Sequence, residues 1–298
     1  MTTPNLKKAD FEVVSLKRNL TSPRTLFGLI MSGIAGLFTL IAIVPLFIIL
    51  TYLLTRGISA LSLSVFTELP PPPMVEGGGF GNAILGTVIM VGIGALISVP
   101  LGIMAAIYLS EFQEGKASDW IRFATNVLSG VPSIIVGVFA YSAVVLTTKS
   151  YSAWAGGFAL SILMLPIIVR TTDESLKLVP QDVRQASVGV GANRYQTVLQ
   201  VVLPAALPAI ITGITLAIAR AAGETAPLLF TALFTQFWPN WDNLLVEPTA
   251  SLSVLVYNFA IVPFKNQQEL AWGAAFILVL LVLVTSIISR LATAKRTY

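Results

Sequence analysis

The sequence predicts an all-α integral membrane protein, with six transmembrane helices and a cytoplasmic helix-turn-helix between the fourth and fifth. Three observations carry that prediction. Of 298 residues, 55% are hydrophobic and only 11% charged, too few charges to clothe a soluble domain of that apolar content. The apolar residues gather in long runs, against the about 20 residues a helix needs to cross a hydrocarbon core of about 30 Å. The basic residues fall almost wholly in alternate connections between those runs.

The first run spans 26–54, behind a tail (residues 1–25) that holds Lys7, Lys8, Lys17, Arg18 and Arg24. It is too long for the apolar part of a signal peptide, acidic Asp10 and Glu12 precede it, and no small-residue cleavage site follows closely, so it reads as a retained helix. Residues 55–81 hold the run of prolines at 70–73 and Gly77, Gly78, Gly79 and Gly81, and are expected to form an irregular external loop. A phosphate-cradling loop is the competing reading of those glycines, but no G-x-x-x-x-G-K-[ST] occurs anywhere in the chain.

The second run is 83–109, the third 120–146 and the fourth 154–169. The fifth, 205–234, carries interrupting residues, and the sixth covers 270–291. Together they make a six-helix transmembrane domain over 26–293, closed by a short tail at 294–298. Residues 236–269 are expected to be a second external loop, with Trp238, Trp241 and Trp272 at interface depth. With six spans, fourteen of the eighteen Lys and Arg lie on one side: the five of the tail, Lys116, Arg122, Arg170, Lys177, Arg184, Arg194, Arg290, Lys295 and Arg296. Arg56, Lys149 and Lys265 lie on the other, and Arg220 sits within a span. The positive-inside rule makes the crowded side cytoplasmic, with both termini there.

Composition also excludes chemistry. With no Cys and no His, disulfides, thiol nucleophiles, zinc sites of the usual kind, His- or Cys-ligated haem and His-dependent triads are absent. The pI of about 9.4 reflects topology rather than nucleic acid, because the cations are scattered between apolar runs.

The connection at about 173–204 carries the first functional signal. Pro180 followed by Asp182 suits a helix start; Gly189 and Gly191 suit its end. A second short helix over about 194–202 is expected to stop at Pro204. Gln185-Ala186-Ser187, three residues, Gly191, nine residues, then Val201-Val202-Leu203-Pro204 resembles the E-A-A-x3-G-x9-I-x-L-P loop of ABC importer permeases. The resemblance implies a type I importer permease fold, and a loop (Gln185, Ala186, Ser187, Gly191, Leu203, Pro204) that docks on a separate ATPase. Gln185 replaces the family's Glu, losing its charge, Ser187 replaces Ala, and Val201 replaces Ile. A plain amphipathic hairpin is the alternative.

The second signal is charge within a span. Sixteen residues beyond Pro204, Arg220 stands about 24 Å along a helix, where an unpaired cation costs at least a few kcal/mol. Glu224 shares its helix face if the helix continues, though Gly223 and Pro227 argue for a break, tolerable only beside protein or a cavity. A buried ion pair that aids packing competes with a pair lining a translocation path. Arg170, at the end of span four, reads equally as a snorkelling anchor or a substrate contact. Ser133 and Asn82 could offer polar groups to the path, or simply pack and cap.

Residues 223–232 (GETAPLLFTA), 165–172 (LPIIVRTT), 131–137 (VPSIIVG) and 77–84 (GGGFGNAI) closely resemble the phosphate permeases of ABC importers. The resemblance covers about residue 77 to the C-terminus. It implies phosphate translocation across the inner membrane, with Arg220, Glu224, Arg170, Thr225 and Ser133 on the path. It also implies a second permease subunit, two ATPase subunits and a periplasmic phosphate-binding protein; ATP and Mg would bind the ATPase, and no cofactor this chain. The tetrahedral oxyanion suits the arginine fork. A permease for sulfate or molybdate is the alternative. An intramembrane enzyme using Glu224, Asp173 or Asp242 lacks paired carboxylates within the membrane, and a passive channel would conduct without nucleotide.

Overall fold

A computed structural model describes residues 22–112, 115–240, 242–243 and 246–294, with the side chains of 292–294 excepted. The tail cations Lys7, Lys8, Lys17 and Arg18, the acids Asp10 and Glu12, Trp241, and the terminal Lys295 and Arg296 lie outside the described residues. The described residues are helical with connecting turns. They divide into two units, Met1–Tyr52 and Leu53–Tyr298.

The first unit is the apolar length of α1 (Pro23–Ser59) up to Tyr52. Its leucines, isoleucines and phenylalanines stand exposed, while the Thr39 and Thr51 hydroxyls donate to carbonyls four residues back. A helix apolar on all sides with its polar groups satisfied internally is suited to lipid.

In the second unit α1 ends, and α2 (Ser64–Thr67) and the proline segment follow. Gly77 and Gly78 adopt left-handed φ of 83° and 80°. Gln267 and Asn266 of α13 (Lys265–Ala294) donate to the Pro71 and Val75 carbonyls, so this irregular loop is tied down. Then come α3 (Gly81–Glu111) and α4 (Lys116–Gly130). α5 (Ser133–Ala140) runs through a π turn, Tyr141–Val145, into α6 (Leu146–Thr148).

The predicted third span is not one rod. α4 and the α5–α6 helix meet at an angle of 107°. The cause is local: Pro132 has no N–H to continue a helix and pushes Val131 to an extended ψ of 128°. Among the described residues five helices are long and apolar enough to cross a membrane, and six if the bent pair counts as one span.

The fourth helix, α7 (Ala153–Lys177), continues eight residues past the predicted end at Val169 and is the most enclosed of the spans. Small residues let it approach its neighbours. A Cβ on Gly94 of α3 would lie 3.2 Å from the Gly157 carbonyl, one on Gly102 3.0 Å from Ile168 Cβ, and one on Gly213 of α10 (Leu203–Ala222) 2.6 Å from Thr171 Cβ. Met90, Leu160, Met164, Ile168, Ala217 and Leu228 fill the core between them.

After α7 come α8 (Gln181–Gly189) and α9 (Arg194–Thr197). The expected stop at Pro204 does not occur. α9 passes through a π turn, Val198–Val202, directly into α10, giving a continuous helix Arg194–Ala222. The wider turn takes up the clash that the Pro204 ring would make with the preceding turn. The second arm of the hairpin is therefore the start of the fifth span.

The segment 236–269 also departs from a plain external loop. It contains α12 (Leu252–Ala260), whose Leu252, Val254, Leu255 and Phe259 are buried. Nine residues are too few to span, so this apolar run packs instead on α3 and α13. The first-turn amides of α12 are satisfied: Leu252 N–H donates to the Thr87 hydroxyl at 2.8 Å and Val254 N–H to Ser251 Oγ at 3.3 Å.

Candidate functional site

Two helix breaks come together. α10 ends at Ala222, Gly223 caps it, and α11 (Ala226–Thr231) carries Pro227 in its first turn, where a missing N–H costs nothing. The Gly223 and Glu224 amides return to the Arg220 and Ala221 carbonyls. The Glu224 carbonyl accepts from the Ser253 hydroxyl of α12 at 2.8 Å, so backbone freed by the break is paired. The other break is the bend at Val131–Pro132. α5 and α11 pack closely: a Cβ on Gly137 would lie 2.6 Å from Pro227 Cα. Ser133 is thus the first residue of one short helix, and Thr225 directly precedes the other.

Arg220 Nε lies 3.5 Å from Glu224 Oε1, with the arginine side chain 58% exposed and the glutamate 16%. The guanidinium is thus open on one side while the carboxylate is largely enclosed. Paired through Nε, the guanidinium keeps its other donors free to meet an anion. The interruption foreseen at Gly223 and Pro227 is present, and Arg220 and Glu224 meet across it.

Arg170 lies within α7 rather than at its end and is similarly open, its Nε 3.1 Å from Glu174 Oε1. It borders a cleft of about 320 Å³ with Arg122, Thr125, Asn126, Asp173 and Lys177. Asp173 Oδ2 accepts from Lys177 at 2.6 Å and Arg122 at 3.3 Å, while Arg122 also donates to the Leu109 carbonyl. Arg170 pairs along α7 and Arg220 with the acid just past the end of α10, so the structure does not join the two arginines in one cluster of hydrogen bonds. Asn82 is fully buried and donates to the Thr235 and Phe237 carbonyls, a packing role.

The hairpin forms the second part. Pro180 and Asp182 begin α8 as expected. Gly191 has φ of 92°, the left-handed turn that glycine permits. Asn193 and Gln196 form a reciprocal capping box at the head of α9. Gln185, Ala186 and Gly191 are exposed around the tip, as are Val188 and Val190. Ser187 faces inward, its hydroxyl 3.0 Å from that of Thr197 on the facing arm. Leu203 and Pro204 lie back within the continuous helix, apart from the tip.

Sequence reasoning passed over Ser253, which no local pattern marks. It passed over Pro132 as a break point, although Val131-Pro132-Ser133 signals one, and it passed over Asn193, although Asn-x-x-Gln is a capping pattern. Among the described residues no group of three or more acids could hold a metal ion.

Apolar spans, a bundle with two interrupted helices and a projecting hairpin define the membrane subunit of a solute transporter. Residues 98–297 match the family described as "Binding-protein-dependent transport system inner membrane component", and the chain belongs to that family; it is a multi-pass inner-membrane transport protein. It is 42% identical over 243 residues, 81% of each chain, to the phosphate transport system permease protein PstA of Yersinia pestis. With the protein of that name from Haemophilus influenzae it shares 42% over 263 residues, 88% of this chain and 92% of the other. A bacterial alginate ABC transporter superposes with a TM-score of 0.60 at 12% identity over 91% of this chain and 96% of that one. The MetNI methionine ABC transporter gives 0.56 at 19% over 73% and 94%. These two establish the fold as that of an ABC importer permease.

Proposed function

We propose that this chain is the permease subunit of an ATP-driven importer of inorganic phosphate. The observation that carries the reading is the Arg220–Glu224 pair, open-sided at a helix break, in a chain whose relatives at 42% identity are named phosphate transport permeases. The guanidinium offers two parallel N–H donors to two oxygens of a tetrahedral anion. Glu224 accepts a hydrogen bond from a protonated phosphate oxygen. The Ser133 and Thr225 hydroxyls flank the path at the starts of α5 and α11, and Arg170 makes a separate contact along it.

The hairpin faces the cytoplasm, in keeping with the positive-inside rule, and both termini lie on that side. Gln185, Ala186 and Gly191 meet a groove on an ATPase subunit; Ser187 holds the two arms together, and Leu203 and Pro204 carry the displacement into α10. ATP and Mg bind two ATPase subunits. A second permease subunit completes the path, and a periplasmic phosphate-binding protein delivers the anion.

The test is uptake of radiolabelled phosphate into proteoliposomes holding the purified complex. Uptake is expected to need ATP and the binding protein. Arg220→Gln, which removes a charged donor worth about 1.5–3 kcal/mol, should lower it by about 10- to 100-fold while the ATPase stays bound. Preferential uptake of sulfate or molybdate would assign another oxyanion, and flux without nucleotide would make the chain a channel.

A further inference from the structure

The hairpin is oriented by Arg184, on the face of α8 that turns toward the bundle. The second arm needs no special anchor, since Val202, Ala206 and Ile210 pack with Leu176 and Val179 in an apolar core. α8 has one buried side chain, Ser187. Besides the Ser187–Thr197 contact with the second arm, its polar attachment to α3 and α7 runs through Arg184. Arg184 Nη1 lies 2.5 Å from both carboxylate oxygens of Glu111, the last residue of α3. Nη2 donates to the Leu176 carbonyl at 2.7 Å and Nε to the Val179 carbonyl at 3.5 Å, both at the end of α7, where orphan carbonyls and the helix dipole favour a cation.

The Arg184 and Glu111 side chains are 15% and 9% exposed. An ion pair that enclosed is strongly coupled, because losing either partner strands the other away from water. Glu111 also accepts from the Ser110 hydroxyl at 3.2 Å. The other arm meets the same turn of α3. Arg194 donates to the Glu111 carbonyl and stands over the Phe112 ring at 4.8 Å, and the Phe112 and Tyr195 rings lie 5.4 Å apart. Both arms therefore close on one point, the end of α3, which packs along α7 through Gly94 and Gly102.

We propose that Arg184, clamped by Glu111, is the positioning residue that transmits movement of the hairpin to α3. This rests on the reading of the hairpin as the ATPase contact. α8 alone could slide beneath the bundle; locked to α3, it must carry that helix with it. Arg184 touches neither nucleotide nor phosphate. Its removal should leave ATP hydrolysis in place and detach it from transport.

The chain has no cysteine, so introduced thiols are the only ones on this subunit, and the test is made on the complete complex in proteoliposomes, with the wild-type complex treated with the same bis-maleimide as control. Arg184→Gln and Glu111→Gln should each lower the ratio of phosphate imported to ATP hydrolysed by about tenfold or more, with the ATPase still co-purifying. The double variant should be no worse than either alone, as expected of one coupled pair. In the double variant E111C/R184C, bridging the two thiols with a short bis-maleimide should raise that ratio several-fold over the unbridged protein. Bridged and unbridged samples are the same polypeptide, so poor folding cannot mimic the result. An unchanged ratio in the single variants, or no gain on bridging, overturns the proposal alone. A wild-type complex that retains no ATPase overturns the parent reading and the proposal with it.

Discussion

At the scale of single residues, Glu224 is the acid beside the arginine. Phosphate at neutral pH keeps at least one proton, while sulfate is fully ionised and would meet repulsion from a carboxylate. Glu224→Gln is therefore expected to narrow the preference for phosphate over sulfate, read as competition in uptake. Unchanged competition would assign discrimination to the binding protein. Ser187 gives a second residue-scale prediction. Its hydroxyl pairs with the buried Thr197, so Ser187→Ala strands a polar group and should cost about 1–3 kcal/mol, read as a lower melting temperature in detergent. Removing both hydroxyls, in S187A/T197V, should recover most of that loss.

At the scale of elements, much was legible because each local cause is local in sequence. Pro180 and Asp182 marked the start of α8, and Gly223 with Pro227 marked the break after α10. What escaped depended on contacts distant in the chain. The Ser253 hydroxyl satisfies Glu224 across 29 positions, and Arg184 reaches Glu111 across 73; no periodicity records either. Pro204 misled for a different reason. A proline usually stops a helix, but the π turn at Val198–Val202 absorbs it, so the helix runs on. The run at 252–260 was apolar enough for a helix and too short for a span, so only packing on α3 and α13 could decide it.

The hairpin tip supplies the element-scale prediction. Gly191 stands at φ of 92° with nothing within 4 Å of a notional Cβ, so a side chain there meets backbone strain rather than a clash. Gly191→Val should cost about 1–2 kcal/mol locally and disorder the tip. The ATPase should be lost from a pull-down in mild detergent while the chain itself still inserts. Retention of the ATPase would place the docking surface elsewhere.

At the scale of the molecule, the separation of basic residues makes a topological prediction. Val190 at the hairpin tip and Met74 in the proline loop are each 86% exposed, and the native chain has no thiol. In intact spheroplasts a membrane-impermeant maleimide should label M74C and leave V190C unlabelled until the membrane is opened. The reverse pattern would invert the orientation. The apolar runs were readable from length, because lipid selects length, and the basic residues favoured an even number of crossings. The bend of 107° in the third was not, since hydropathy counts residues without regard to their direction.

The unbroken helix from Arg194 to Ala222 has a mechanical consequence. At about 1.5 Å per residue, Arg194 and Arg220 are about 39 Å apart on one stiff beam. A see-saw of about 10° about its midpoint would swing each end by about 3 Å in opposite senses. That is comparable to the 3.5 Å separating Arg220 from Glu224. A small tilt imposed at the foot is thus returned at equal size and in the opposite sense at the end that carries the charge pair.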